Sequence, residues 1–492
     1  MDLAEELRSS LKDLLTSGPV EIREVAGRTT PVEPVSWEVR GAADKPLLHV
    51  WAENCNMTRR VLGIAEHSPG CVMLSVERFG RTAPERLEIA RLDFQRSRKQ
   101  ISREGFCEQL RRILAEKFPD ETVEKLSIAA DLEHTLSRIY ARGIVRKGTV
   151  RGAFLGVPES ETQDAVENSL TFALLWLERA RESGSSGNVS FLRLILPERK
   201  SGLLAQQLCA LNPRLAIQIY ELKSRTEEVE RVDPRGNGNV QSGLVPLRES
   251  QLLLDRANGD LARIIAQAPE AIRAHAVARV QEVVLQFRGL PFLRWSEGRI
   301  EYGVGAVWRP LNARTERDLQ KLIGNLRKFR DPLASNQQHP LYRAQPERWM
   351  QWLAWQDISR IDVLLDPEHL YEQVIAKSGG QHGVLDLLTV TRSKRLAILE
   401  LKATENPELP LQAADYWQRI KHHHLEGNLN RYGYFGQLQL QAAPPLLYLV
   451  APALRFHPST EAMLKYLSPE VEVIRVGLAE SWRRGLRVVL RQ

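Results

Sequence analysis

The sequence predicts an α/β protein built as a tandem duplication, each half a small α/β module followed by an αβββαβ domain. Three observations predict it. Short apolar runs of strand length alternate with amphipathic helical stretches along the chain. Matching segments recur at an offset of 244 residues, close to half of the 492. The stretch 226–250, rich in Gly, Pro, Asn and charge, divides the halves as a linker would. In the repeat, Arg151–Glu161 lies on Arg395–Glu405, with Ala153, Leu155 and Glu161 identical to Ala397, Leu399 and Glu405, and Trp51 and Glu53 fall on Trp295 and Glu297. With a longer loop allowed, Ala210–Leu222 reads against Tyr466–Leu478, Pro213 on Pro469.

Taken in order, residues 1–99 form the first module: a helix at 10–16, a strand at Leu47–Trp51, a short helix, and a strand at Val72–Phe79. Residues 100–225 form the first αβββαβ copy, opening on a helix at Arg103–Lys117. Residues 251–334 form the second module, with Leu252–Phe287 helical by pattern, Phe292–Trp308 alternating as strands do, and Thr315–Arg330 helical. Residues 335–492 form the second copy. Its helix Pro346–Ile358 has proline in the first turn. A strand at Leu370–Ala376 precedes a hairpin of Val384–Val390 and Leu396–Leu401 around Ser393 and Lys394. Then come helix Leu411–His422, strand Leu446–Val450, helix Ser459–Leu467 and strand Val471–Val476.

Hydrophobic content of 43% and charged content of 26% are those of ordinary globular protein, and 492 residues exceed one core. The net charge of +7 favours a polyanionic partner. Cys55, Cys71, Cys107 and Cys209 show no metal spacing and read as free thiols. The acidic amphipathic start is unlike a signal peptide, and no apolar run has membrane-spanning length, so a soluble cytoplasmic protein is expected. Tyr302-Gly303-Val304-Gly305 is too short for a nucleotide loop and no phosphate-loop motif occurs, so any ATP-driven helicase would be a separate partner.

The chemistry concentrates in the hairpin Gly383–Lys402. Asp386 interrupts its first strand, and Glu400 and Lys402 interrupt its second, two apart and so on one face. Charged groups inside apolar strands are costly unless paired or bound to an ion. Two carboxylates beside a lysine can hold a divalent cation and handle a water. On these residues the chain resembles the PD-(D/E)XK, or restriction-endonuclease-like, nuclease superfamily, and Gln412-x-x-x-Tyr416 is similar to the signature of its RecB-like branch. The resemblance covers Ser335 onwards. It implies that Asp386 and Glu400, with the carbonyl of Leu401, hold Mg²⁺ (Mn²⁺ as a substitute), that Lys402 orients the attacking water, and that Gln412 and Tyr416 steady the site. Glu347, in the first turn of its helix, stands where the family often keeps an acid, with Glu372 as the rival.

Glu221-Leu222-Lys223 and Glu198-Arg199-Lys200 also spell Glu-x-Lys, but neither follows a strand with an embedded Asp, so both read as surface pairs. His422-His423-His424 point in different directions from a helix and make a poor metal site. Subtracting 244 from the site residues gives Arg142 for Asp386, Gly156 for Glu400, Pro158 for Lys402, Asn168 for Gln412 and Phe172 for Tyr416. The first copy is therefore degenerate. Arg142, Arg146 and Lys147 around its hairpin, and Arg419 and Lys421 on the helix of the second copy, are candidate nucleic-acid contacts; solvated strand and turn residues are the plainer reading. The expectation is a metal-dependent DNA nuclease. The alternatives are a non-cutting nucleic-acid-binding or assembly protein, and RNA as substrate.

Overall fold

The computed structural model describes residues 2–16, 20–24, 29–32, 36–40, 45–52, 55–68, 70–77, 85–131, 136–182, 189–223, 226–233, 243–305, 307–372, 374–376 and 387–492. The chain is a mixed α/β protein with several sheets, and it divides into two units, Met1–Arg112 and Ile113–Gln492.

In the first unit, α1 (Leu3–Thr16) carries Leu7, Leu11, Leu14 and Leu15 at the spacing of one helix face and buries them against a sheet. The seven strands are β1 (Val20–Glu24), β2 (Thr29–Val32), β3 (Ser36–Arg40), β4 (Leu47–Ala52), β5 (Cys55–Ser68), β6 (Cys71–Glu77) and β7 (Glu85–Arg91). They lie in the order β2-β1-β7-β6-β5-β4-β3, all antiparallel. The short helix expected between two strands here is instead the long strand β5. Two register shifts in its pairing with β6 space Met57, Val61 and Ile64 four and three apart, which mimics helical periodicity in the sequence. α2 (Leu92–Lys117) follows.

The second unit opens with β8 (Thr122–Ser127), β9 (Ala141–Lys147), β10 (Val150–Gly156), α3 (Gln163–Glu167), α4 (Ser169–Glu182), β11 (Val189–Pro197), α5 (Gly202–Gln207), β12 (Ala216–Lys223) and β13 (Glu228–Val232). The sheet order is β13-β12-β11-β10-β9-β8; β10, β11 and β12 are mutually parallel and the remaining pairs antiparallel. Glu228–Val232, read from sequence as part of a linker, is thus an edge strand. Its alternating Glu-Val-Glu-Arg-Val suits a half-solvated edge where charge discourages further pairing.

Next come β14 (Gly243–Leu244), α6 (Leu247–Ile265), β15 (Ile272–Val277), β16 (Glu282–Phe287), β17 (Leu290–Ser296), β18 (Arg299–Val304), β19 (Val307–Pro310), α7 (Glu316–Phe329) and α8 (Pro340–Arg343). β15 to β19 form an antiparallel meander backed by α6 and α7. The long helix expected over Leu252–Phe287 ends at Ile265. The alanines of 271–278 imitate helix composition, but β-branched residues and the left-handed turn at Gln281 commit the segment to two strands. Trp51 lies on the second strand of the run β3–β7 and Trp295 on the third of β15–β19, so their sequence match is not a match of place.

The last part holds α9 (Pro346–Gln356), β20 (Ile375–Ala376), β21 (Leu387–Val390), β22 (Leu396–Leu401), α10 (Leu409–Leu425), α11 (Asn428–Arg431), β23 (Leu446–Pro452), α12 (Thr460–Leu464), β24 (Glu472–Leu478) and β25 (Val488–Arg491). The sheet order is β21-β22-β23-β24-β25, antiparallel, parallel, parallel, antiparallel, the same sequence of directions as β9 to β13. The strand expected at Leu370–Ala376 is broken. Leu365 and Tyr371 bridge Thr391 and Leu388 on the edge of β21, Asp366–His369 lie between these bridges, and β20 pairs instead with β14.

The β9–β13 and β21–β25 sheets share one core, in which α4 and α10 are buried between them. Beside it, Leu211 bridges Leu467; Asn212 N donates to Tyr466 O at 2.9 Å, and Ser468 N donates to Ala210 O at 2.8 Å. Among the described residues Cys71, Cys107 and Cys209 are free thiols, and no helix is long and apolar enough to cross a membrane.

Arg330 ties the meander to α9. Fully buried, it donates to the carbonyls of Phe287, Arg288, Leu341, Ala344 and Gln345, and its guanidinium lies 4.8 Å from the ring centre of Trp349. Burial, with Arg483 and Arg288 nearby, lowers its pKa to about 9, which leaves it charged at neutral pH. Next to it Gly289 has φ +81, and a Cβ there would meet Arg348 O at 2.0 Å. Gly289→Ala should therefore cost roughly 1–3 kcal/mol of stability. Arg330→Met, which removes a buried charged donor from five main-chain carbonyls, should cost about 3–5 kcal/mol. Urea unfolding measures both; midpoints equal to the parent's would mean that the brace carries no strain and no bonding.

Candidate active site

β22 is fully buried, and its alternation fixes the site. Leu396 and Ile398 point into the core with α10, while Ala397, Leu399 and Leu401 point into a second core with α9. Glu400 therefore points to the α10 side at 3% exposure, and Lys402 follows on that side, its Nζ 3.2 Å from Glu400 Oε1. Lys402 N donates to Val450 O at 2.9 Å, which extends the pairing with β23 to the C-terminal end of the parallel run. That end is where open α/β sheets place ligands.

Glu347 reaches the same end of β22 from the first turn of α9. Its Oε1 accepts from Ala403 N at 3.3 Å and Thr404 Oγ1 at 3.4 Å. The structure thus brings Glu400, the carbonyl-bearing Leu401 and Lys402 together at the strand end, and Glu347 reaches the same end from the α9 side. Asp386 lies outside the described residues.

On α10, Tyr416 is 4% exposed and packs in the same core as Ile398. Gln412, one turn earlier, donates from Nε2 to Glu408 Oε2 at 3.2 Å. Sequence reasoning missed their neighbour Asp415, which is buried and accepts from Arg419 Nε at 2.9 Å. Burial raises its carboxyl pKa, Arg419 opposes the rise, and Glu167 adds to it. An acid four residues before an arginine on the buried face was the available signal. Arg419, predicted to touch nucleic acid, is the partner of that acid, and Lys421 is paired with Glu470.

The rival acid Glu372 has a different task. It is held by Arg273 at 2.9 Å and His275 at 3.3 Å, both on β15. Burial pushes its pKa up, but the bonds and charges of His275 and Arg273 outweigh this and hold the carboxyl below the usual range. Asp366, Glu368 and His369 were also missed; their ligand atoms lie within 4.8 Å of one another. Asp366 Oδ1 accepts from Glu368 N at 2.8 Å and its Oδ2 sits 3.0 Å from His369 Nδ1, so the cluster already bonds within itself as a turn. His424 contacts Gln441 O and His423 contacts Asn428, at separate places as their helical spacing requires. Glu221 accepts from Arg199 N and Ser201 N and closes a turn.

In the first hairpin Arg142, a candidate phosphate contact from sequence, is 4% exposed, donates to the carbonyls of Ser137, Tyr140 and Ala129, and lies 5.8 Å from the ring centre of Trp176, so its guanidinium is engaged within the fold. Arg142 opposes Leu155, whereas Leu387 opposes Leu399. The second turn, Arg392–Lys394 with Lys394 at φ +67, is one residue longer than Gly148-Thr149, so the register slips by one and Leu387 stands where Arg142 does. Arg146 and Arg151 share Glu124, and Lys147 pairs with Asp120, on the solvated side of the hairpin.

Arg142→Met should lower the urea midpoint, because buried carbonyls lose their donor, and should leave the salt slope of DNA affinity unchanged; a slope flattened by one unit would instead make Arg142 a phosphate contact. Glu372→Gln should cost about 1–3 kcal/mol at pH 7. A carboxyl with a lowered folded pKa stabilises fully above its unfolded value, about 4.3, and loses that stabilisation as pH falls through the folded value. The difference in melting temperature from the parent should close in strong acid, and one that widens there would reverse the assignment. Compared with protein-family models and with curated proteins, the chain matches none.

Proposed function

We propose that the chain is a metal-dependent DNA nuclease of the PD-(D/E)XK type, with its site at the C-terminal end of β22 and a degenerate second copy of the same domain in β9–β13. The observation that carries this reading is the buried Glu400 with Lys402 on the α10 face and Glu347 at the same strand end. A carboxylate in the interior of a sheet is a burden on the fold that chemistry explains better than packing does.

The duplication is supported by the matching strand directions of the two sheets, each with its crossover helix, α4 or α10, in the shared core. It is also supported by the seam. In the sequence alignment Ala210-Leu211-Asn212 correspond to Tyr466-Leu467-Ser468, and these segments pair with each other reciprocally. Such a self-complementary contact is what a two-fold related pair makes.

The donors at the strand end are carboxylate and carbonyl oxygens, which suit a hard cation such as Mg²⁺. Glu400, the Leu401 carbonyl and Asp386 would hold the metal, and Glu347 would hold its water shell. Bound there, the metal polarises a phosphodiester and lowers the pKa of a water. Lys402 contributes an ammonium whose place is fixed by Glu400, where it offsets charge developing on the phosphate and orients the attacking water. Glu347, tethered by Ala403 N, keeps the chain after Lys402 in position. Tyr416 and Gln412 wall the α10 side.

The test is incubation of the purified protein with single-stranded, double-stranded and branched DNA, and with RNA, with Mg²⁺, Mn²⁺ or EDTA. Metal-dependent cleavage of DNA is expected. Lys402→Met and Glu400→Gln should each lower the rate by about 10²–10³-fold without lowering the melting temperature. Parent-like rates in both variants would sink the site assignment. A parent that binds these substrates and cuts none of them would be the non-cutting alternative, and preference for RNA would change the substrate.

A further inference from the structure

Six of the seven net positive charges lie in about a fifth of the chain. Between Gly243 and Gln345 there are sixteen Lys and Arg against ten Asp and Glu. In the same region a cavity of about 340 Å³ opens between the β18–β19 hairpin and α7. The helix offers it one stripe, Asp318, Lys321, Leu322 and Asn325, at i, i+3, i+4 and i+7. The hairpin offers Gly303, Val304, Arg309 and Tyr302, the last 4% exposed with a buried hydroxyl that has no hydrogen-bond partner among the described residues.

Neither Arg309 nor Lys321 is ion-paired among the described residues. Most arginines and lysines of the β9–β10 hairpin and of α10 do have an acidic partner. A guanidinium, an ammonium and a side-chain amide on one concave surface form the donor set of a phosphate site. The volume falls in the ordinary range for small-molecule pockets, roughly 300–1,000 Å³.

We propose that this cavity binds a phosphate ester, with Arg309 and Lys321 supplying charge and Asn325 supplying a hydrogen bond. Asp318 on the rim opposes the anion and tunes the affinity downwards. Two sources present this group: the phosphorylated 5′ end of a nucleic-acid strand and a free mononucleotide. The geometry of the cavity is independent of the strand-end site on β22.

The experiment reads binding in EDTA, where no cleavage is possible, so its result stands whether or not the chain is a nuclease. Full-length protein is titrated against a 3′-labelled single-stranded oligonucleotide with a 5′ phosphate or a 5′ hydroxyl, and against a mononucleotide by calorimetry. Phosphate-dependent binding is expected, about tenfold tighter with the phosphate than without. Arg309→Gln and Lys321→Gln should each weaken it severalfold, and Asp318→Asn should strengthen it. Preference confined to the oligonucleotide identifies the strand end as the source, and binding of the mononucleotide identifies the free ester. Equal affinity for both oligonucleotides with no mononucleotide binding overturns the proposal, as does phosphate-dependent binding that all three variants leave unchanged.

Discussion

A central strand buried on both faces governs the second unit. β22 has one apolar row against α10 and the other against α9, so any polar residue in it must face a core. Glu400 is tolerable near the end of that strand, where the Lys402 ammonium reaches it. Moved two residues earlier it would sit among Ile398 and its neighbours with no cation in reach, at the full desolvation cost of a buried carboxylate. The location of the site follows from this limit as much as from chemistry.

Much of that was legible in the sequence because strand alternation is a strict rule. The pair at 400 and 402, the apolar frame around it, and helices α9, α7 and α10 are all visible as periodicity. The parts that were not legible share a cause: interactions distant in sequence decided them. The bulged β5 imitates helical spacing, and the alanine-rich run before Phe287 imitates helical composition, until strand partners decide the matter. Arg142 looked like a surface cation because a sequence cannot show that three carbonyls and a tryptophan surround it. The one-residue slip between the hairpins was hidden in turn length, since a left-handed lysine at 394 is not distinguishable from an ordinary turn residue by type alone.

The meander of β15–β19 now has two roles to weigh. At one end its hairpin turn and Arg330 are locked to the residues that lead into α9, so it sets where Glu347 begins. Its strands β18 and β19 also line the cavity against α7.

The seam at Leu211 and Leu467 has a consequence for how the chain tolerates change. Its bonds run between main-chain amides and carbonyls, which every residue but proline supplies alike. Side chains on either side can therefore diverge widely without parting the two sheets. The common core works in the opposite direction: with α4 and α10 buried in one apolar body, neither sheet keeps its helix covered without the other. The two lobes are free to lose resemblance and are not free to separate, so a fragment starting near residue 335 would carry the strand-end residues intact and still lack half of the interior that holds them.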